Sequence, residues 1–360
     1  MVPHAGGDAA TAAATSGSAG AGPKRLIVPD VLRGIAIIAM LVAHAAPFVP
    51  HLPWAVLFAQ ATLNALASPL FALVMGMSAE LLRRREARAA TTLLQQGVRG
   101  LFLILLGVWM ATWGSWVDVI LGYLGVLLII GAPLLLARTP VLVGITAVLL
   151  VISQPVADAA RNVEGIDTAP IRDLMTWTVL GQNYRVITLL PMFLIGALLV
   201  RHGLRRGPLL WVLAAVAPLA YLAWPVAERL GVTGVRTGDY LDTLRDLALT
   251  FVTVVVVVLA ATVRGDGARR FWTRLFVPLI ACGQVALSLY LLHVGLIALW
   301  SGDHGRPVDN FWPGWLVIVP GMILTGWLWW RFIGTGPVEW VMGWLTGRRK
   351  PLLRARDRSA

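Results

Sequence analysis

The feature that most constrains this chain is a succession of ten apolar runs. They lie near residues 26–46, 54–82, 94–113, 118–137, 140–158, 185–201, 208–229, 244–263, 275–300 and 312–333. A bilayer core about 30 Å thick is crossed by about 20 apolar residues in a helix, which satisfies its own backbone polar groups. Most of the runs are that long. The third and sixth are shorter, and Pro191 is positioned to kink the sixth. The expected fold class is therefore all-α: a polytopic integral membrane protein with about ten transmembrane helices. Only 13% of the 360 residues are charged, against about 25% in soluble domains. The sixteen Trp suit the interfacial role of indole. The single cysteine, Cys282, excludes an intramolecular disulfide and reads as a small apolar group inside a helix.

The net charge of +12 would fit a nucleic-acid partner only if it were concentrated. Instead short arginine clusters fall between apolar runs: Arg83/Arg84/Arg85/Arg88, Arg138, Arg201/Arg205/Arg206, and Arg264/Arg269/Arg270/Arg274, with Lys24/Arg25 and an RRK run at 348–350 near the termini. The intervening loops are acidic or neutral. This alternation is the pattern of loops held on the cytoplasmic side. It predicts a lipid bilayer and no nucleic acid as partner, and a plasma (inner) membrane location with both termini cytoplasmic. The Ala- and Arg-rich usage suggests a bacterium. Residues 1–24, rich in Ala, Gly, Ser and Thr, read as a disordered tail without a cleavable signal peptide. Residues 25–334 form the transmembrane domain, and 335–360 an amphipathic basic tail. The segment 159–184 is too long for a simple connector and is a candidate cover over an outer site.

Chemistry concentrates in the first run, where DVLRGIAIIAMLVAHAAPFVPH spans Asp30 to His51. Arg33 and His44 are eleven positions apart, three helical turns plus about 20°, so both project from one stripe. Asp30 precedes Arg33 by three residues on the same side. His44 lies roughly 16 Å further along the axis than Arg33. Ionisable seams of this kind in apolar helices are functional candidates. In ACGQVALSLYLLHVGLIALW, His293 falls in the outer third and Tyr290 shares its helical face. With His51 in the first outer loop, three of the six histidines gather toward one leaflet. Histidine is suited to general acid–base work near neutral pH, although each taken singly also reads as an interfacial polar residue. Arg33 equally reads as a snorkelling residue paired with Asp30, and Arg99 as an interfacial anchor. No HExxH, GxGxxG or P-loop spacing occurs, so no metal is expected.

The run DVLRGIAIIAML, the histidine beyond it and SPLFALVMGMSAELLRRR together resemble the transmembrane acyltransferase superfamily. The resemblance is to its heparan-alpha-glucosaminide N-acetyltransferase-like branch and to YeiB-type bacterial membrane proteins. GQVALSLYLLH, RVITLLPMFLIGALLVRHG and the run Gly336-Pro337-Val338-Glu339-Trp340 are similar to the YeiB pattern. The resemblance implies transfer of an acyl group, acetyl expected, from cytoplasmic acyl-CoA to a sugar, glycan or other envelope acceptor on the outer side. It implies acyl-CoA (acetyl-CoA) as co-substrate and leaves homo-oligomerisation open. In the N-acetyltransferase branch a histidine of the first non-cytoplasmic loop is catalytic, a place held here by His51. That branch has an asparagine near the end of helix 1, where this chain has His44 and the type 3 relatives also have a histidine. The base is thus open between His44 and His51, with Tyr290 and His293 as candidate oxyanion donors. CoA phosphates would meet Arg33, with Asp30 and Arg99 beside it, and the arm would pass Gly34, Ile37 and Met40/Leu41. The alternative class is a small-solute or proton-linked transporter, disfavoured because the central parts of the spans hold no carboxylate.

Overall fold

The computed structural model describes residues 27–162 and 171–347, so the 1–24 tail, the RRK run and part of the 159–184 segment lie outside the described residues. The described chain is helical, with no β-strand among the described residues. In order the helices are α1 (Ile27–Ala45), α2 (Trp54–Arg85), α3 (Ala89–Ala111), α4 (Leu121–Leu134), α5 (Thr139–Arg161) and α6 (Ile171–Met175). Then come α7 (Val186–His202), α8 (Pro208–Arg229), α9 (Tyr240–Ala261), α10 (Asp266–Gln284) and α11 (Ala286–His304). The last are α12 (Trp312–Leu316), α13 (Met322–Phe332) and α14 (Pro337–Leu345). Wider π-type turns follow α6 and join α12 to α13. Among the described residues, eight helical runs are long and apolar enough to cross a membrane. The chain is an integral membrane protein.

Contacts sort the loops into two ends. At one, Arg201 closing α7 donates to the carbonyl of Ala137 beyond α4 (2.9 Å), and Arg206 donates to Leu259 O near the end of α9 (3.1 Å). At the other, Phe311 N donates to Phe48 O (2.6 Å), Ser301 Oγ to Gly114 O (3.0 Å) and Tyr240 N to Gln154 Oε1 (2.7 Å). Every described arginine cluster that the sequence puts between spans gathers at the first end. α4 and α7, at 14 and 17 residues, run between the same two ends.

Lipid offers no hydrophobic drive for helix pairing, so close backbone approach through small residues takes its place. Two reciprocal glycine contacts do this. A Cβ on Gly76 of α2 would sit 1.8 Å from Phe193 O of α7, and one on Gly196 of α7 would sit 1.9 Å from Leu73 O of α2. On α3 and α4, Cβ atoms on Gly100 and Gly125 would each fall within 2.7 Å of the other's carbonyl. α1 lies in the middle, packed against α2, α9, α10 and α11. Its Val31, Leu32, Ala36, Ile37, Ala39 and Leu41 are fully buried.

The apolar run 275–300 is not one helix. It breaks at Val285 (φ −116°, ψ 24°), the shared boundary of α10 and α11. α9 ends and α11 begins at the arginine-rich end, so both ends of α10 sit there and α10 does not cross. Its Arg269, Arg270 and Arg274 are exposed, while Phe276, Ala281 and Cys282 are buried. Hydropathy misses the break because tertiary contacts make it. Gly283 lies against the carbonyl of Asp30, which a Cβ would approach to 2.3 Å. The first-turn N–H groups of α11 are met from outside the helix: Leu287 N and Ser288 N donate to Glu339 Oε1 of α14 (2.6 and 3.2 Å), and the Ser288 hydroxyl donates to Glu339 Oε2. A carboxylate at a helix N-terminus satisfies orphan donors and opposes the positive end of the dipole.

Candidate active site

α1 carries Asp30, Arg33 and His44 along one side, with the cation toward the arginine-rich end and the imidazole toward the other. Arg33 Nη1 lies 3.7 Å from Asp30 Oδ1, and Arg33 Nη2 donates to Ser78 Oγ of α2 at 2.6 Å. Arg33, Ser78, Gln96, Arg99, Gln284 and Glu339 share a cavity of about 170 Å³. Its walls are otherwise mostly apolar, with Leu103, Leu121, Leu124 and Leu128 among them. Gly34 is adjacent in sequence but does not line this cavity. It faces α10, where a Cβ would lie 2.0 Å from Leu279 O. Ile37 and Leu41 are likewise closed in the core, so the open space beside the seam lies on its α2–α3–α4 side rather than against Gly34, Ile37 and Leu41.

At the opposite end, His44 Nδ1 is 2.9 Å from His293 Nε2, and His293 Nδ1 is 3.0 Å from the Leu289 carbonyl. A carbonyl accepts only, so His293 carries its proton on Nδ1 and its Nε2 is a lone pair. That lone pair accepts from His44 Nδ1–H, and His44 Nε2 is left as the basic nitrogen. The two rings lie 5.2 Å apart with a 16° interplanar angle, and Tyr290 stands edge-on to both. His293 is fully buried. The Trp116 indole donates to His44 O (3.2 Å) and so ties down the end of α1. Tyr290 Oη accepts from Ile120 N at 3.3 Å, which leaves its own hydroxyl proton to donate elsewhere.

His44 opens on a second, polar cavity of about 290 Å³, with Asn64, Ser68, Asp118, Tyr184, Asp246 and Arg306 among its walls. Burial, with Asp118 and Tyr123 nearby, holds the Tyr184 phenol above its ordinary pKa, so it remains a hydroxyl donor. Phe71 lines both cavities, and the consecutive residues Ile120 and Leu121 line one each. The two spaces therefore meet back to back, with Tyr290 lining the Arg33 side.

His51 stands apart from this group. Its backbone N–H donates to Asn310 Oδ1 (2.9 Å), Asn310 Nδ2 donates to His51 O (2.6 Å), and its Nε2 lies 3.1 Å from Val308 O. These contacts tie the first loop to the one before α12. The cavity-lining polar residues escaped the sequence reading, although Asn64/Ser68 and Asp242/Asp246 stand at i, i+4 on α2 and α9, a visible helical-face signal. Asp242 and Asp246 lie in the first two turns of α9, outside the central part of the span, and both line the polar cavity. Among the described residues, no group of three or more His, Cys, Asp or Glu is arranged to hold a metal ion.

Comparison with known proteins adds an independent finding. Residues 25–168 match the family model of the heparan-alpha-glucosaminide N-acetyltransferase catalytic region. No curated protein matches the chain. The matched stretch carries Arg33, His44 and Arg99, whereas Tyr290 and His293 come from α11 beyond it. Over residues 25–168, less than half of its length, the chain is similar to the catalytic region of the heparan-alpha-glucosaminide N-acetyltransferases.

Proposed function

We propose that the protein moves an acetyl group from acetyl-CoA, held in the Arg33 cavity, to a hydroxyl or amine of a sugar-like envelope acceptor in the His44 cavity. One observation carries this reading: a cation-lined, apolar-walled cavity and a polar cavity bearing a base meet at Phe71 beside Tyr290. Arg33 and Arg99 suit the phosphates of the donor, because guanidinium groups pair with phosphate oxygens through fixed parallel donors. The concentration of arginine at this end makes it the cytoplasmic side of a plasma membrane, with the acceptor arriving from the other side.

In the reaction His44 Nε2 takes the proton of the acceptor hydroxyl or amine as that atom attacks the thioester carbonyl. The tetrahedral oxyanion takes a hydrogen bond from the Tyr290 hydroxyl. The C–S bond then breaks, and the proton on His44 passes to the leaving thiolate. His293 accepts from His44 Nδ1–H throughout and keeps Nε2 turned to the acceptor. The base is assigned to His44 rather than His51 because His44 lines the polar cavity, whereas His51 lines neither cavity and binds the loop before α12.

The test is acetyl-CoA binding and acetyl-CoA turnover by the purified protein in detergent. His44→Ala is expected to bind acetyl-CoA as wild type does and to lose about 10²–10⁴ of the rate, while His51→Ala stays within a few-fold. Absence of saturable acetyl-CoA binding to wild type overturns the reading. Loss of turnover in His51→Ala with retention in His44→Ala moves the base to His51.

A further inference from the structure

The Arg33 cavity contains a polar group that the proposed reaction does not use. Gln96 of α3 is buried, at 1% exposure, and lines this cavity. Neither its Oε1 nor its Nε2 has a hydrogen-bond partner among the described residues. A buried amide with no partner is destabilising, and nearly all buried polar groups in folded proteins are paired. A leucine here would suit the Leu103, Leu121 and Leu124 walls better. The cavity thus keeps a costly donor and acceptor at a place where none of the described residues meets them. Gln96 stands three residues before Arg99, on the same helical face, so its carboxamide and the two guanidinium groups line one cavity.

We propose that Gln96 is a binding residue of this cavity, pairing with the secondary amides of an extended thioester donor: Nε2 donates to an amide carbonyl of the donor's arm and Oε1 accepts from an amide N–H. This rests on the acetyl-CoA reading and deepens it. That donor's arm carries two secondary amides in series, separated by two methylenes. A peptide-like ligand group offers an acceptor and a donor at once, which a carboxamide requires. A hydrocarbon arm offers neither. The phosphates set overall affinity through charge, whereas Gln96 reads the uncharged arm, so the two contributions separate with truncated donors.

The experiment compares wild type, Gln96→Leu and Gln96→Asn with three acetyl thioesters. Acetyl-CoA carries nucleotide and amides, S-acetylpantetheine carries the amides alone, and S-acetyl-mercaptoethanol carries neither. The quantity read is the ratio of kcat/KM for S-acetylpantetheine to that for S-acetyl-mercaptoethanol. Gln96→Leu is expected to lower this ratio about tenfold, the scale of leaving buried amide groups unpaired. Its ligand-free thermal midpoint should match or exceed that of wild type, which shows that the variant is folded. Gln96→Asn, which keeps the amide on a shorter stem, should fall between the two. An unchanged ratio overturns the inference and leaves the donor reading intact. A loss with acetyl-CoA but not with S-acetylpantetheine also overturns it, since the carboxamide would then read the nucleotide. Failure of wild type to bind or turn over any thioester removes the donor reading itself.

Discussion

His44 Nδ1 and His293 Nε2 lie 2.9 Å apart, and the other nitrogen of His293 is committed to the Leu289 carbonyl. The pair is directional. One proton lies between the rings, one lies between His293 and the backbone, and the free lone pair is on His44. On the proposed reading His293 is therefore a positioning residue. His293→Gln, whose Oε1 can still accept from His44 Nδ1–H, is expected to stay within about tenfold of wild type. His293→Leu should lose about 10²–10³ of kcat with acetyl-CoA binding unchanged. The pH–rate profile of the leucine variant should also be displaced, which a simple packing defect would not do.

Glu80 is fully buried and meets three arginines: Arg83 Nη2 at 2.7 Å, Arg84 Nε at 3.1 Å and Arg201 Nε at 3.3 Å. Arg201 in turn donates to the Ala137 carbonyl. Deleting the acid leaves a buried guanidinium uncompensated, and breaking such clusters costs about 3–5 kcal/mol. Glu80→Ala should lower the thermal midpoint in detergent well below wild type, whereas Arg84→Ala, at the exposed edge of the cluster, should have a small effect.

The α2–α7 interlock has no slack. A methyl on Gly196 meets the Leu73 carbonyl, which is backbone and has no rotamer to move. Gly196→Ala is expected to push the helices apart and lower stability by about 1–3 kcal/mol, the usual cost of overpacking. Gly97→Ala of α3, with nothing within 4 Å of its Cβ, is the matched control and should melt like wild type or slightly above it.

Burial pushes the Glu339 carboxyl above its ordinary pKa, against the opposing hydrogen bonds from Ser288 and Leu287. A raised folded value means that the fold holds its proton more tightly than the unfolded chain. The associated stability is fully present below the unfolded pKa and is lost as pH rises through the folded one. Glu339→Gln cannot titrate. The difference in thermal midpoint, variant minus wild type, should therefore increase as pH rises from about 4.5 through the upper carboxylate range. A difference independent of pH would show that Glu339 is not raised.

Much of the fold was legible because its determinants are local. The runs that become α1, α2, α8 and α9 are set by length and hydropathy, and the Asp30–Arg33–His44 stripe by helical period alone. The meeting of His293 with His44 was legible only as a shared depth, because sequence separation of 249 residues carries no geometry. The division between α10 and α11 was hidden for a related reason. Residues 275–300 are continuously apolar, and what interrupts them is the Asp30 carbonyl and the Glu339 carboxylate, both remote in sequence. Nothing in the sequence singles out Gln96, and only the cavity around it reveals a buried carboxamide without a partner among the described residues.

The remote cap on α11 has a consequence for biosynthesis. Chains are made from the N-terminus, and helices inserted early can pack before later ones exist. Here α11 carries Tyr290 and His293, yet the carboxylate that completes its first turn belongs to residue 339, made some fifty positions later. During those last additions α1 already presents His44 with no fixed tautomer partner. The first turn of the helix that carries His293 is therefore completed only once α14 has been made, so the His44–His293 pair rests on a segment synthesised after both of its members.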